Sequence, residues 1–288
     1  MAQRRPRKMI FHPAAQFLGR VRSRSKRKLR RDFIEFRAAQ DQASAKLEAL
    51  VRRFKFGKTL TLRDPKLNES AAKFSFETTP DQTEEFGCGV RYHFSNPPVF
   101  RDVPYVRATL EVSTNSGGFL GNANAPDAKL LESTPHWPVN EAKIKELAAQ
   151  ITANKSGNDA KASAILAWLA PGKNLRYTGV TGSRWGTLKA LDQKFGHCWD
   201  FSDCFVTLCR AAGVPSRQVA GWLYGSSGHV WAEYYREGKG WQQVDPTGGG
   251  VLPCGIYHIA YFTTEDGEMP IVYLAMPKIV IVEKDYAK

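Results

Sequence analysis

Gly196-His197-Cys198-Trp199-Asp200-Phe201 opens a run that continues through Leu208-Cys209-Arg210-Ala211-Ala212 to Gly213-Val214-Pro215. Within it Phe201, Phe205, Leu208 and Ala212 fall at i, i+4, i+7 and i+11, one face of a helix. Trp199, Val206 and Cys209 widen that face, which predicts a nearly buried central helix. Gly213 ahead of Val214-Pro215 ends it. Cys198 then stands in the first turn, where unpaired N–H groups and the positive end of the helix dipole favour an anion. A free thiol titrates near ~8.5, and such a setting lowers it to roughly 3.5–7.5. His197 reads as a neighbour only, because adjacent helical residues point apart.

Downstream, residues 229–235 alternate in polarity and residues 241–245 alternate again, the mark of two strands. Between them Arg236-Glu237-Gly238 suits a three-residue hairpin loop with Gly238 in the left-handed place. That loop pairs Tyr235 with Lys239, Glu233 with Trp241, Trp231 with Gln243, and His229 with Asp245. The imidazole and the carboxylate become cross-strand neighbours, about 4.5–5.5 Å apart at Cβ. Alone, a cysteine opening a buried helix is a small core residue, and a His–Asp pair is structural. A thiol, a base and an orienting carboxylate together make the set that nucleophilic catalysis by cysteine requires.

These motifs, with Ser216-Arg217, Gly228-His229-Val230-Trp231 and Gly240-Trp241-Gln242-Gln243-Val244-Asp245-Pro246-Thr247, resemble the transglutaminase-like superfamily over roughly residues 139 to 262. The resemblance implies an α+β fold with a papain-like core, a central helix packed on an antiparallel sheet. It implies Cys198 as nucleophile, His229 as general base and acid, and Asp245 as the orienting carboxylate. Trp185, thirteen residues before the cysteine, resembles the indole that helps hold the oxyanion in transglutaminases, and is the oxyanion candidate. As a bland alternative it is a packing aromatic.

Metal chemistry is the rival use of the thiols. The chain has no C-x-x-C pair. Cys198 and Cys209 share a helix face three turns apart, about 16 Å by helical rise, too far to grip one ion. No metal and no cofactor is expected. Five cysteines in 288 residues argue against a disulfide scaffold and suit a reducing, cytoplasmic setting. The formal charge of +13 resembles a nucleic-acid signal until it is located. Residues 1–31 hold twelve Arg and Lys and no acid, so subtracting twelve leaves +1 for residues 32–288. The basic tail reads as a solvated arm, with nucleic acid or an anionic surface as the partner it suits. No run of eighteen apolar residues occurs, so no transmembrane segment is expected.

The remaining chain divides into a helix at 32–55, carrying Phe33, Phe36, Leu47, Leu50, Val51 and Phe54, a β-rich region at 56–130, and the catalytic-type domain at 131–288. Residues 73–77 and 106–112 alternate as strands, and residues 113–127 are linker-like. Asn140 is placed to cap one helix and Asn158 or Asp159 the next. Leu188 and Leu191 mark a short helix leading to Cys198, and residues 271–282 a last strand or two. The activity expected is acyl transfer on a peptide or protein substrate through a thioester, more hydrolytic than transferring. The alternatives are a protein-glutamine transglutaminase, and a non-catalytic module that binds peptides or accompanies nucleic acid.

Overall fold

The computed structural model describes residues 41–52, 59–63, 73–86, 89–100, 103–115, 126–178, 184–223, 228–248, 254, 258–268, 278–280 and 285–286. The basic tail, residues 1–31, lies outside them. So do residues 32–40 and 53–55 of the expected helix.

The N-terminal part consists of strands. They are β1 (Asp41–Arg52), β2 (Thr59–Arg63), β3 (Lys73–Phe76), β4 (Gln82–Phe86), β5 (Gly89–His93), β6 (Val99–Phe100) and β7 (Val103–Asn115). Over 41–52 this corrects the helix expected there. Ala43, Ala45, Leu47, Ala49 and Val51 alternate with Gln42, Ser44, Lys46 and Glu48, a period of two that the helical reading overlooks. β1 runs antiparallel to β7, with Leu47 opposite Leu110 and Val51 opposite Val106, so a matched alternating partner decides between the two periods. β3 pairs with the other edge of β7. β2, β5 and β4 form a separate antiparallel sheet.

Four helices and a second sheet build the core. The helices are α1 (Ala142–Ile151), α2 (Gly157–Leu169), α3 (Thr187–Gln193) and α4 (Cys198–Ala211). A short parallel pair, β8 (Arg176–Tyr177) and β9 (Phe195–Gly196), lies beside the start of α4, with Tyr177 opposite Gly196. The main sheet contains β10 (Ser216–Leu223), β11 (Gly228–Arg236), β12 (Gly240–Val244) and β13 (His258–Thr264), all antiparallel, in the order β12-β11-β10-β13. β14 (Lys278–Val280) and β15 (Asp285–Tyr286) return to pair with β1.

The helix α4 is buried along nearly its whole length, as its sequence implies. Phe201, Phe205 and Leu208 are fully buried and cluster with Ile144 and Ala148 of α1, Ala162, Ile165 and Leu169 of α2, and Ala232 and Val244 of the sheet. Polar groups inside this core are paired, as burial demands. Asp203 accepts from Arg184 Nε at 2.7 Å, Trp137 Nε1 at 3.0 Å and Gln218 Nε2 at 2.9 Å.

Two expected helix caps differ. The N-cap of α1 is Glu141 rather than Asn140, and that of α2 is Ser156. Asn158 is drawn inward instead, where its Nδ2 donates to the Tyr235 carbonyl at 2.9 Å, and Asp159 pairs with Arg236.

The hairpin register also differs. Tyr235 faces Trp241, Glu233 faces Gln243, and Ala232 faces Val244. Each strand has slid one residue relative to the expectation. Gly238 (φ +66°) sits inside a tight turn closed by Lys239 N–H on the Arg236 carbonyl at 2.9 Å, and Gly240 (φ +109°) follows it. Two residues with positive φ move the turn centre to Glu237-Gly238. The combined shift of two preserves which face each side chain occupies.

Candidate active site

Gly196-His197-Cys198-Trp199-Asp200 folds as it does because its residues satisfy one another. Asp200, in the first turn of α4, turns back to accept the His197 N–H at 2.9 Å on one carboxylate oxygen. Its other oxygen accepts the Trp185 and Gly186 N–H groups at 2.6 and 3.0 Å. Burial raises its proton affinity against these three donors. A Cβ on Gly196 would lie 2.6 Å from the Asp200 Cβ, so this closure requires glycine there. The result is a fixed helix start with Cys198 as its first residue and His197 as the N-cap.

Cys198 is 3% exposed. His197 Nδ1 lies 3.1 Å from its sulfur, and His229 and Tyr177 act on the thiol electrostatically. Burial pushes the thiol up, but the hydrogen bonds from His197 and His229 and the positive charge they carry outweigh it, bringing the pKa down to about 6. Cys204, Cys209 and Cys254 are pushed well above the ordinary thiol range, by burial above all.

His229 enters from β11 and Asp245 from just beyond β12. His229 Nε2 lies 2.9 Å from Asp245 Oδ2, although the backbone register makes them diagonal rather than direct neighbours. That leaves Nδ1 for the thiol. Burial disfavours the imidazolium, but the Asp245 charge and hydrogen bond, with Cys198 on the other side, raise His229 to about 10. Asp245 is held well below the usual carboxylate range; burial alone would raise it, and the charges and hydrogen bonds of His229 and His258 together overcome that.

His258, on β13, was not singled out from the sequence. Its Nε2 lies 3.1 Å from the same Asp245 Oδ2. Oδ1 accepts the Thr247 N–H at 2.9 Å and the Thr247 hydroxyl at 2.6 Å. His258 is buried, which lowers its pKa and keeps it a neutral donor. Its Nδ1 has no hydrogen-bond partner among the described residues. Gly221, opposite both His229 and Ala260, sits where a Cβ would strike the β13 backbone at 2.1 Å and Trp231 at 2.4 Å. The bare backbone there lets β13 approach closely enough to bring His258 over.

His229, Asp245 and His258 offer ligand atoms within 4.8 Å of one another. Both imidazole Nε2 atoms are already spent on the Asp245 oxygen, so a cation would have to displace two N–H···O bonds.

Trp185 is placed differently from the other expected residues. Its ring meets Phe195 edge-on, with centroids 5.4 Å apart, and its backbone N–H is held by Asp200. Tyr177 is an aromatic that interacts with the Cys198 thiol. The nearby aromatics at the helix start pack on one another, Tyr177 with His197 at 5.2 Å and with Phe201 at 5.8 Å.

A central helix opening on a cysteine is thus packed on an antiparallel sheet that carries His229, with Asp245 just past one of its strands. Residues 145–246 match the family model described as the transglutaminase-like superfamily. The crystal structure of a proposed cysteine protease from Cytophaga hutchinsonii has the same fold, with a TM-score of 0.56 at 16% identity over 86% of this chain and 92% of that one. Among curated relatives, a protein-glutamine gamma-glutamyltransferase of Pseudomonas aeruginosa is 33% identical over 70 residues, 20% of this chain and 10% of its own length. A peptide-N(4)-(N-acetyl-beta-glucosaminyl)asparagine amidase of Gallus gallus is 37% identical over 59 residues, 20% of this chain and 8% of its own length. The chain thus spans no more than a tenth of either relative.

Proposed function

We propose that this protein is a thiol-dependent acyl-transfer enzyme acting on carboxamide or peptide carbonyls, with Cys198 as nucleophile, His229 as general acid and base, Asp245 as the orienting carboxylate, and water as the usual acceptor. One observation carries the reading: an imidazole held at 2.9 Å by a buried carboxylate lowers the proton affinity of a buried thiol. The set supplies an ionised nucleophile, a proton carrier and a fixed tautomer. Relatives named for glutamyl transfer and for amidase action on asparagine support a carboxamide substrate.

The Cys198 thiolate attacks the carbonyl carbon, and the electron pair moves onto oxygen. The Cys198 N–H at the unpaired start of α4 meets that oxyanion, with the Tyr177 hydroxyl or the Trp185 indole as the second donor. His229 gives its Nδ1 proton to the leaving nitrogen, and ammonia or an amine departs from a thioester. Neutral His229 then takes a proton from water as it attacks, and collapse regenerates the thiolate and releases an acid. Asp245 keeps the imidazole aligned through both halves.

Water is favoured over an amine because residues 32–288 carry a net charge of only +1, offering no acidic funnel for lysine. The stretch 224–228 before His229 is also short and small, with little bulk for a hydrophobic lid. Incubation with a glutamine peptide and a millimolar primary amine, followed by mass spectrometry, tests this. Acid product should predominate; a predominant amine adduct would make the protein a transglutaminase instead.

A further inference from the structure

The residue before the proposed nucleophile gives it a second imidazole. His197 occupies the N-cap with extended backbone (φ −105°, ψ −175°), so its side chain does not follow the helical fan that separates adjacent residues. Its Nδ1 lies 3.1 Å from Cys198 Sγ instead. This overturns the expectation that His197 is merely a neighbour. The placement is rigid: Asp200 holds its backbone N–H at 2.9 Å, its ring lies against Tyr177, and only 6% of it is exposed. The sulfur is therefore hydrogen-bonded by His197 at the head of α4, while His229 on β11 acts on it electrostatically from the sheet.

We propose that His197 is a further catalytic residue, bonding the Cys198 sulfur directly and sustaining it as thiolate whenever His229 is engaged with the leaving group or the incoming nucleophile. This rests on the reading of Cys198 as nucleophile. The need follows from the proton bookkeeping above. His229 has two duties away from the sulfur in each cycle, first protonating the departing nitrogen and then deprotonating water. The thiolate expelled when the second tetrahedral species collapses has to be stabilised before His229 has returned. An N–H from His197 Nδ1 meets that need without moving. When the thiol is protonated and His229 is unavailable, the same nitrogen accepts the proton: S–H breaks, N–H forms, and no other reactant takes part.

The groups facing His197 are Cys198 and Asp200 on α4, Tyr177 on β8 and His229 on β11. Burial disfavours its imidazolium most, yet the bond to the sulfur and the charges of Cys198 and Asp200 together outweigh burial and His229 and raise its proton affinity.

The test is alkylation of Cys198 by iodoacetamide across about pH 5 to 9, read by peptide mapping on the full chain. The proteins compared are wild type, His197→Asn, His229→Gln and the double variant. Asparagine is a favoured N-cap, so His197→Asn removes the basic nitrogen while the helix start is kept, and a melting curve checks this. In His229→Gln, labelling should still switch on below the free-thiol value of ~8.5. In the double variant it should move to or above that value and slow at least about 10-fold near neutrality. A double variant with the same profile as His229→Gln overturns the proposal. Where His229→Gln does not fold, His197→Asn alone decides: its acid limb should lie at higher pH than in wild type, and an unmoved limb overturns the proposal. Failure of the underlying reading shows separately, as wild-type Cys198 labelled no faster than Cys204, Cys209 or Cys254.

Discussion

Asp245 gathers four donors on two oxygens: His229 and His258 on Oδ2, and the Thr247 N–H and hydroxyl on Oδ1. Such a carboxylate cannot rotate without losing charge-assisted bonds. Asp245→Asn should leave the fold intact and lower turnover by about 10⁴, because an amide N–H facing His229 selects the wrong tautomer. A steady-state rate and a melting curve on the same preparation check both halves. His258→Phe should cost less, about 10- to 100-fold in Cys198 acylation, the weight of one hydrogen bond to a charged group. The pH profile follows from the two opposed shifts. Cys198 is depressed to about 6, so thiolate appears as pH rises through that value. His229 is raised to about 10, so its proton is lost only as pH rises through that value. Activity should form a plateau between those limits, and a profile rising only near the ordinary thiol range would contradict the ion pair. At the oxyanion, Tyr177→Phe and Trp185→Phe divide the two candidate donors. The one that serves should lose roughly 10²–10³ in kcat.

At the scale of elements, α4 ties the site to the core. Phe205→Ala removes a fully buried ring between the helices and the sheet and should destabilise by about 3–5 kcal/mol, measurable by denaturant unfolding. This helix was legible because its apolar spacing, its glycine stop and its buried surroundings agree. The hairpin was legible in its strands but not in its register, since Gly238 and Gly240 both take positive φ and the sequence does not say which one sets the turn. The His229–Asp245 contact survived because a shift of two leaves both side chains on the same face. β1 was misread because Leu47, Leu50 and Val51 satisfy a helical spacing while the small alanines carry the strand alternation. His258 and Tyr177 were missed for a different reason. Neither belongs to a local motif; one arrives on β13 across β10, and the other on β8 by pairing with β9, both long-range placements. The position of His197 depended on its N-cap geometry, which sequence spacing treated as one more helical residue.

At the scale of the whole molecule, the charge asymmetry and the fold concern different parts of the chain. Among the described residues no helix is long and apolar enough to cross a membrane. The twelve cations of residues 1–31 make a separate prediction. If they engage phosphates through six to ten contacts, affinity for duplex DNA or RNA should fall about 10³–10⁵-fold between roughly 50 and 200 mM salt. Deleting residues 1–31 should abolish that binding and leave Cys198 chemistry unchanged. Binding insensitive to salt would point to another surface. The chemistry proposed for residues 145–246 is acyl transfer at one thiol. Intact-mass and peptide-mapping spectrometry after incubation with a library of peptide carboxamides tests it most directly. An acyl adduct on Cys198 with loss of ammonia or amine is expected, and none in Cys198→Ala. An adduct on another residue, or undiminished turnover in Cys198→Ala, would contradict it.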